Sequence, residues 1–459
     1  MGYERVKVYE KLSSQEREEL EQYSKGYIRF LSTAKTERLA SKEIVRQAEE
    51  KGFVPFDSIQ GQEVKPGQKF YAVNKNKGVA LFVMGKNLTD GMDIVGSHID
   101  CPRLDLKAVP LHEEGNMAYL RTHYYGGVKK YQWTTLPLAL HGIAFTKEGK
   151  QIDINIGEEE GDPVFYINDL LIHLSREQMA KTGKEIVTGE QLQVVCGHDG
   201  GNRDKDCKDP VKENILKLLK EKYDLEEEDF QVAEIEVVPA GPAREVGFDR
   251  SLIAGHGHDD RICSYANLRA ILETENPERT AVALLVDKEE IGSVGNTGMH
   301  SKFFENLVSE VLASGKETYN ELEFKRAMAN SRVLSADVTA AYDPMYPDVF
   351  EKDNSSWMGC GITVSKYTGS GGKGGSNDAN AEFLNELRQI FQKDGVIWQT
   401  GELGKIDAGG GGTIAYILAE YGAEVVDCGT GMLSMHAPIE LASKADAYET
   451  YRAYRAFFR

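Results

Sequence analysis

The sequence lacks any long hydrophobic run, since no apolar stretch approaches the ~18 residues that a membrane-spanning helix requires. Its first residues lack the apolar region of a secretory signal peptide. Cysteine is scarce, with 6 residues in 459 and no CxxC pair, which is typical of reduced thiols. Positive charge is also in deficit, because 54 Lys and Arg stand against 73 Asp and Glu. We therefore predict a cytoplasmic protein with no membrane and no nucleic acid among its partners.

What the chain does contain is the composition of a globular protein, with 41% hydrophobic and 28% charged residues. Its length predicts more than one domain. Strands and helices alternate at both ends of the chain, whereas strand-like runs follow one another between them. We predict an α/β fold, with a mixed sheet sandwiched by helices, formed by residues 1–105 and 244–459. A β-rich domain of residues 106–243 is inserted into it at a surface connection.

The stretch VGSHIDCP, residues 95–102, is the centre of the functional prediction. His98 and Asp100 stand two residues apart at the end of an apolar run. In a strand this spacing points both side chains to the same face. A histidine that binds a metal through a neutral imidazole is commonly oriented by a neighbouring carboxylate. The pair therefore suits a metal ligand, His98, and its orienting residue, Asp100. The pair alone is weak, so the prediction depends on partners elsewhere in the chain.

Four further polar clusters follow predicted strands, where α/β sheets bind their ligands. They are His256-Gly-His-Asp-Asp260, Asp287-Lys-Glu-Glu290, Ser335-Ala-Asp337 and the segment of residues 430–440 that contains His436. Each has an ordinary alternative: Asp259 or Asp260 as a helix cap, Glu289 and Glu290 as a solvated pair, Asp337 as the cap of the next turn, and His436 as a core histidine. Their shared position at strand ends favours a metal centre, and mixed nitrogen and oxygen ligands suit Zn²⁺, Co²⁺ or Mn²⁺.

The charges in these clusters favour two ions rather than one. Asp259, Glu290 and Asp337 supply three negative charges against the four positive charges of two divalent cations. The surplus favours a hydroxide bound between the cations, which a dinuclear site generates near neutral pH. Glu289 is then left as a carboxylate that takes the proton of the attacking water and passes it to the leaving amine.

Five motifs in this order (GSHIDCP, HDDR, DKEEIGS, SADV and MHAPIE) closely resemble those of the aspartyl aminopeptidase and vacuolar aminopeptidase I family of dinuclear zinc exopeptidases. The resemblance covers essentially the whole chain. It implies that His98 and Asp337 bind one zinc ion, that Glu290 and His436 bind the other, and that Asp259 bridges them. It further implies that Asp100 orients His98, that Glu289 is the general base, and that the peptide bond between Asp259 and Asp260 is cis.

The resemblance also implies an assembly. In the family the inserted domain forms dimers, which build a tetrahedral dodecamer with internal active sites. His173 resembles a histidine that reaches the active site of a neighbouring subunit. The alternative is an ordinary histidine on the face of a helix, because residues 168–182 show helical periodicity.

Substrate preference stays open, because two segments depart from the family pattern. Lys366 stands where the family has a substrate-contacting lysine, but a glycine-rich stretch at residues 369–375 follows it. Asp407 opens Asp-Ala-Gly-Gly-Gly-Gly-Thr where the family has Asp-x-Pro-Cys-Gly-x-Thr. A preference for acidic first residues is therefore in doubt, although Lys366 or Lys373 could pair with an acidic side chain.

The sequence thus predicts a metal-dependent aminopeptidase that acts on peptides. The nearest alternative is another dinuclear amidase or a carboxypeptidase. A nucleotide-binding protein is a remote alternative: the 369–375 stretch satisfies GxGxxG, but no apolar strand directly precedes it and no helix is predicted at its third glycine. A non-catalytic assembly protein is another, but Glu289 argues against it, since binding alone needs no base.

Overall fold

The computed structural model describes residues 4–201 and 207–459. Its internal contacts divide the chain into two units. The first contains the described residues of Met1–Asp100 together with Ala243–Met435 and Glu440–Arg459. The second contains the described residues of Cys101–Pro242 together with His436–Ile439.

The first unit is built on a mixed sheet of nine strands, counted over the described residues. Their spatial order is Val54–Pro55, Lys69–Val73, Val79–Val83, Thr280–Val286, Met92–His98, Arg332–Ser335, Glu424–Gly429, Ile362–Ser365 and Trp398–Thr400. A smaller sheet has the order Arg244–Val246, Leu252–Gly255, Glu440–Ser443, Gly431–Leu433 and Thr339–Ala340. Gly369–Ser370 and Gly410–Gly411 pair as a short antiparallel ribbon.

The two faces of the large sheet are covered by separate hydrophobic cores, to which helices of the first unit contribute. They are Val8–Lys11, Ser14–Thr33, Glu37–Glu50, His258–Leu272, Phe303–Ala313, Glu321–Ala329, Ala381–Asp394, Ala415–Ala419 and Lys444–Phe457. Single 3-10 turns lie at Phe56–Ser58, Leu88–Asp90, Glu289–Ile291 and Pro347–Val349. The first long helix begins at a capping box, in which Ser13 and Glu16 satisfy each other's backbone amides.

The apolar strand Thr280–Val286 shows why the sheet is covered on both sides. Ala281, Ala283 and Leu285 enter one hydrophobic core, whereas Val282 and Leu284 enter another. Because side chains alternate along a strand, a continuous apolar run can only be satisfied by cores on both faces. The predicted α/β fold with a helix-covered mixed sheet is confirmed.

The second unit is a six-stranded antiparallel sheet, as far as the described residues extend. Its spatial order is Gln151–Ile156, Leu138–Phe145, Glu234–Pro239, Arg103–Glu114, Met117–Tyr125 and Gln193–Gly197. It also contains the helices Arg176–Met179 and Pro210–Tyr223 and 3-10 turns at Lys130–Trp133, Ile172–Leu174, Gly189–Gln191 and Glu227–Val232. The fully buried Trp133 lies in its own hydrophobic core.

The helix predicted over residues 168–182 is largely wrong. Only a 3-10 turn at Ile172–Leu174 and one helical turn at Arg176–Met179 form there. The apolar side chains of the segment are exposed, so no packed face stabilises a longer helix. No helix among the described residues combines the length and apolarity needed to cross a membrane.

Candidate metal centre

Three parallel strands bring their C-terminal ends to one edge of the large sheet. Val286 lies opposite His98 on one side, and Ser335 lies opposite Gly96 on the other. The segments that follow these strands therefore leave the sheet at the same edge. These segments carry Asp100, Glu289, Glu290 and Asp337.

His98 ends its strand almost completely buried, at 2% exposure. Its Nε2 lies 3.2 Å from Asp259 Oδ1 and 3.8 Å from Asp337 Oδ1. On the other side of the ring, Nδ1 lies 3.3 Å from Asp100 Oδ1 and 3.1 Å from the Asp100 carbonyl oxygen. One nitrogen thus faces two predicted ligands, while the other is held by the predicted orienting residue.

Asp100 also fixes the turn that carries the two glutamates. Its carboxylate accepts the backbone N–H of Glu289 at 3.2 Å and that of Glu290 at 3.3 Å. Because one buried carboxylate holds both His98 and this turn, the ring and the glutamates keep a fixed relation.

Lys288 stabilises the same turn from its other side. Its Nζ donates to Asp287 Oδ2 at 2.6 Å and to Thr297 Oγ1 at 2.7 Å. Its backbone is left-handed, with φ of 66°, so the chain turns sharply between the buried strand and the Glu289–Ile291 turn. This change of direction places Glu289 and Glu290 at the sheet edge.

Asp259 and Asp260 approach His98 from the start of the helix His258–Leu272. Their backbone is not helical, and the peptide bond between them is cis, as the resemblance predicts. The Asp259 amide donates to Glu440 Oε2 at 3.1 Å, and Asp260 Oδ2 accepts the His98 amide at 3.3 Å. The Asp259 backbone and the Asp260 carboxylate are thus held by residues of two different strands.

Among the described residues, two groups of side chains have donor atoms close enough to share an ion. His98, Asp259 and Glu290 form one group, and His98, Asp260 and Asp337 form the other, each with donor atoms within 4.8 Å of one another. Asp260 was not among the predicted ligands. The sequence shows two adjacent aspartates, Asp259 and Asp260, and the family resemblance implies a ligand role only for Asp259.

The electrostatics of this cluster favour a cation. Burial and the neighbouring Asp337 and Asp259 raise the pKa of Glu289 to about 8, against the opposing effect of His98. Burial also raises the pKa of Asp337, and it raises that of Asp260 well above its ordinary value. Carboxylates that resist ionisation because they are buried together are stabilised by divalent ions, and imidazole with carboxylate oxygens is a zinc donor set. The residues present therefore fit zinc.

The remaining predicted site residues are divided between the two units. His436, with a left-handed φ of 64°, belongs to the second unit, where its Nδ1 lies 3.0 Å from the Gly127 carbonyl oxygen. A donor at Nδ1 leaves Nε2 as the nitrogen with a lone pair, as metal-binding histidines require. His173 is exposed in the Ile172–Leu174 turn of the second unit. Lys366 and Asp407 are exposed in loops of the first unit.

Asp427, which the sequence reading missed, anchors both glycine-rich segments. It accepts a hydrogen bond from Thr413 Oγ1 at 2.5 Å and another from Thr368 Oγ1 at 3.4 Å. Thr368 directly precedes Gly369–Ser370, and Thr413 lies just after their paired strand Gly410–Gly411. The next helix begins only at Ala381, so the arrangement expected of a dinucleotide-binding loop is not formed.

Asp427→Asn is expected to change how stability depends on pH. Burial raises the pKa of Asp427 from 3.8 to about 7. The folded state therefore holds a proton that the unfolded state releases between about pH 4 and 7, so this group lowers stability as pH rises through that range. The contribution is at most about 1.4 kcal/mol per pH unit.

Thermal unfolding of both proteins between pH 5 and 8 tests this. The difference in melting temperature between wild type and Asp427→Asn should shrink as pH rises towards about 7 and then stay constant. Parallel melting curves across the whole range would contradict the assignment.

Comparison with known proteins identifies the family to which this chain belongs. A profile of the family described as aminopeptidase I zinc metalloprotease (M18) matches residues 30–458. A probable M18 family aminopeptidase 1 of Clostridium acetobutylicum is 52% identical over 435 residues, covering 93% of this chain and 92% of the relative. The crystal structure of an M18 aminopeptidase from Thermotoga maritima superposes with a TM-score of 0.95 at 45% identity, covering 100% of both chains. The structure of the S. cerevisiae mApe1 dodecamer shares the fold, with a TM-score of 0.75 at 20% identity over 95% of each chain.

Proposed function

We propose that this chain, which belongs to the aminopeptidase I zinc metalloprotease (M18) family, removes N-terminal residues from peptides at two zinc ions held around His98. Membership of the family makes it a metal-dependent aminopeptidase. The number of ions, their ligands and the course of the reaction are the proposal. The observation that carries it is the convergence of His98, Asp259, Glu290 and Asp337 at one sheet edge.

The proposed ligands are His98 and Asp337 for one zinc ion and Glu290 and His436 for the other, with Asp259 shared. His98 supports this role because its Nε2 faces Asp259 and Asp337. The left-handed backbone of His436 and its contact with Gly127 hold that ring in one orientation. When bound, the ions polarise the scissile carbonyl and lower the pKa of a coordinated water.

Glu289 is the proposed general base. Its side chain is 17% exposed, so it is shielded from bulk water but open on one side. Burial and the nearby carboxylates raise its pKa in the absence of metal, and bound cations would oppose this rise and keep the side chain ionised. It can therefore take a proton from the attacking water and deliver that proton to the amide nitrogen as the C–N bond breaks, which releases a neutral amine.

A panel of substrates tests the reaction class. The zinc-loaded protein is offered aminoacyl anilides with a free amine, the same compounds with a blocked amine, and peptides blocked at the N-terminus only. Cleavage restricted to free amines supports an aminopeptidase. Turnover of blocked compounds would instead support an amidase or a carboxypeptidase.

The same panel addresses the preferred first residue, for which Lys366 and Asp407 are the proposed substrate contacts. Lys373 is less suited to bind an acidic side chain, because its Nζ already pairs with Asp378 at 3.0 Å. The Lys373 ammonium also lies 4.0 Å from the centre of the Tyr367 ring. If acidic first residues are preferred, Lys366→Ala should raise KM for them and not for neutral ones.

The protein is proposed to form homo-oligomers, up to a dodecamer, through the second unit acting as a dimerisation domain. The residues of an apolar patch in this unit have exposed fractions between 46% and 73%. It comprises Leu170, Leu171, Ile172, Leu174 and Met179. Contiguous exposed apolar residues mark interaction surfaces, and a second copy is the occupant we propose, with His173 inside the contact. The yeast structure described as a dodecamer supports this choice.

Ile172→Asp is expected to break this assembly, because it would bury an unpaired charge in the contact. Analytical ultracentrifugation should show smaller particles for the variant at a concentration where wild type is assembled. Val232→Asp is the control, since Val232 is 62% exposed in the same unit but lies outside the patch. An unchanged particle size for Ile172→Asp would contradict the proposed contact.

The proposed location is the cytoplasm. The six cysteines form no disulfides with one another, as expected in a reducing compartment. Fractionation of cells that express the full chain tests this location.

A further inference from the structure

His258, directly before Asp259, has both ring nitrogens engaged inside the protein. It is fully buried, its Nδ1 lies 2.6 Å from Tyr27 Oη, and its Nε2 lies 3.1 Å from the Ile253 carbonyl oxygen. A carbonyl only accepts hydrogen bonds, so Nε2–H donates to Ile253 and Nδ1 accepts from the Tyr27 hydroxyl. His258 therefore has no lone pair to offer to a metal.

Tyr27 makes this hydrogen bond from a rigid position. It lies in the capped helix Ser14–Thr33, is 0% exposed, and packs its ring 5.5 Å from that of Tyr265. Tyr27 and His258 are 231 residues apart in the chain. The bond thus ties the N-terminal helix to the segment that carries Asp259.

Asp259 needs such support because its backbone lies outside the regular helix. With φ of −79° and ψ of 109°, it gains no orientation from helical hydrogen bonds. Its amide donates to the Glu440 carboxylate. Its two neighbours in the chain are also fixed. Asp260 accepts a hydrogen bond from the His98 amide, and His258 is bonded to Tyr27 and Ile253. Because both ring nitrogens are anchored, the position of His258 is fixed, and its backbone is bonded directly to Asp259.

We propose that Tyr27 is a positioning residue for the metal centre: its hydrogen bond to His258 fixes the direction of the Asp259 carboxylate and thereby sets the affinity for zinc. This rests on the proposed function, in which Asp259 is a zinc ligand. Groups that orient metal ligands typically change metal affinity by ~10–100-fold when removed. Tyr27 itself touches neither metal nor substrate.

Tyr23 provides a matched control one turn earlier on the same helix. It is also buried, and its ring lies 5.3 Å from that of Tyr265. Within the described residues, however, its hydroxyl has no hydrogen-bond partner. Tyr23→Phe and Tyr27→Phe therefore remove the same group from the same aromatic cluster, and only the second removes a bond to His258.

Zinc affinity of the full-length protein, measured by competition with a chromophoric chelator, distinguishes the two variants. Tyr27→Phe should weaken binding by ~10–100-fold, with kcat restored at high zinc, whereas Tyr23→Phe should bind within about twofold of wild type. Unchanged affinity in Tyr27→Phe would overturn the proposal. Equal loss in both variants would also overturn it, because packing of the cluster would then explain the effect.

Substitutions of His258 give an independent test should Tyr27→Phe fail to fold. In His258→Asn the side-chain oxygen can replace Nδ1 and keep the bond from Tyr27, whereas in His258→Gln the amide nitrogen replaces Nε2 and that bond is lost. The Gln variant should bind zinc more weakly than the Asn variant, and the reverse order would overturn the proposal. Asp259→Asn serves as reference: if it too binds zinc like wild type, the proposed ligand set has failed rather than the role of Tyr27.

Discussion

Glu289→Gln is expected to lower kcat by about 10²–10⁴-fold while zinc content stays at the wild-type level. Glutamine keeps the shape of the side chain and the backbone hydrogen bond to Asp100, but it cannot accept the proton of the attacking water. The loss therefore falls on the chemical step, and KM should change little. Steady-state kinetics on the best aminoacyl anilide, with metal analysis of the same sample, measures both quantities.

The adjacent Glu290 is the matched control for this prediction. Both glutamates lie in one 3-10 turn and both amides donate to Asp100, so either substitution disturbs the turn equally. Glu290→Gln should lose zinc, because it removes a proposed ligand, whereas Glu289→Gln should not. Turnover close to wild type in Glu289→Gln would remove it from the mechanism.

Asp259→Asn is expected to abolish stable binding of the zinc pair and to lower activity by about 10³-fold or more. Substitutions beside metal ligands already cost ~10–100-fold in affinity, and loss of a charged ligand shared by both ions costs more. Asparagine preserves the size of the side chain and the backbone bond to Glu440, so the effect reports on the negative charge. Metal content per chain after gel filtration, followed by activity against added zinc, measures it.

Asp260→Asn tests which of the two neighbouring aspartates matters. Asp260 lies in a group with His98 and Asp337, yet its Oδ2 is used by the His98 amide, and an asparagine oxygen can keep that bond. We expect Asp260→Asn to retain more zinc than Asp259→Asn. The reverse result would move the ligand role to Asp260.

His436→Ala should lose metal as well, and full retention of two ions would exclude His436.

Part of the site was readable from short-range patterns. His98 and Asp100 follow an apolar run, and Glu289 and Glu290 follow another, so a parallel sheet brings them to one edge. The α/β fold and the aminopeptidase class predicted on these motifs are confirmed. The helix over residues 168–182 was wrong because amphipathic spacing indicates a helix only when its apolar face has something to pack against.

The sequence by itself determined the strands, the acidic turns after them and the chemical character of the donors, because each depends on residues within a few positions of one another. Only the tertiary structure decided that Asp100 holds both His98 and the glutamate turn, that Glu440 holds the Asp259 amide, and that Tyr27 donates to His258. These contacts join segments up to 231 residues apart. Hydrogen bonds between distant segments leave no periodic signal in a sequence, because the separation of their partners is set by how the elements pack.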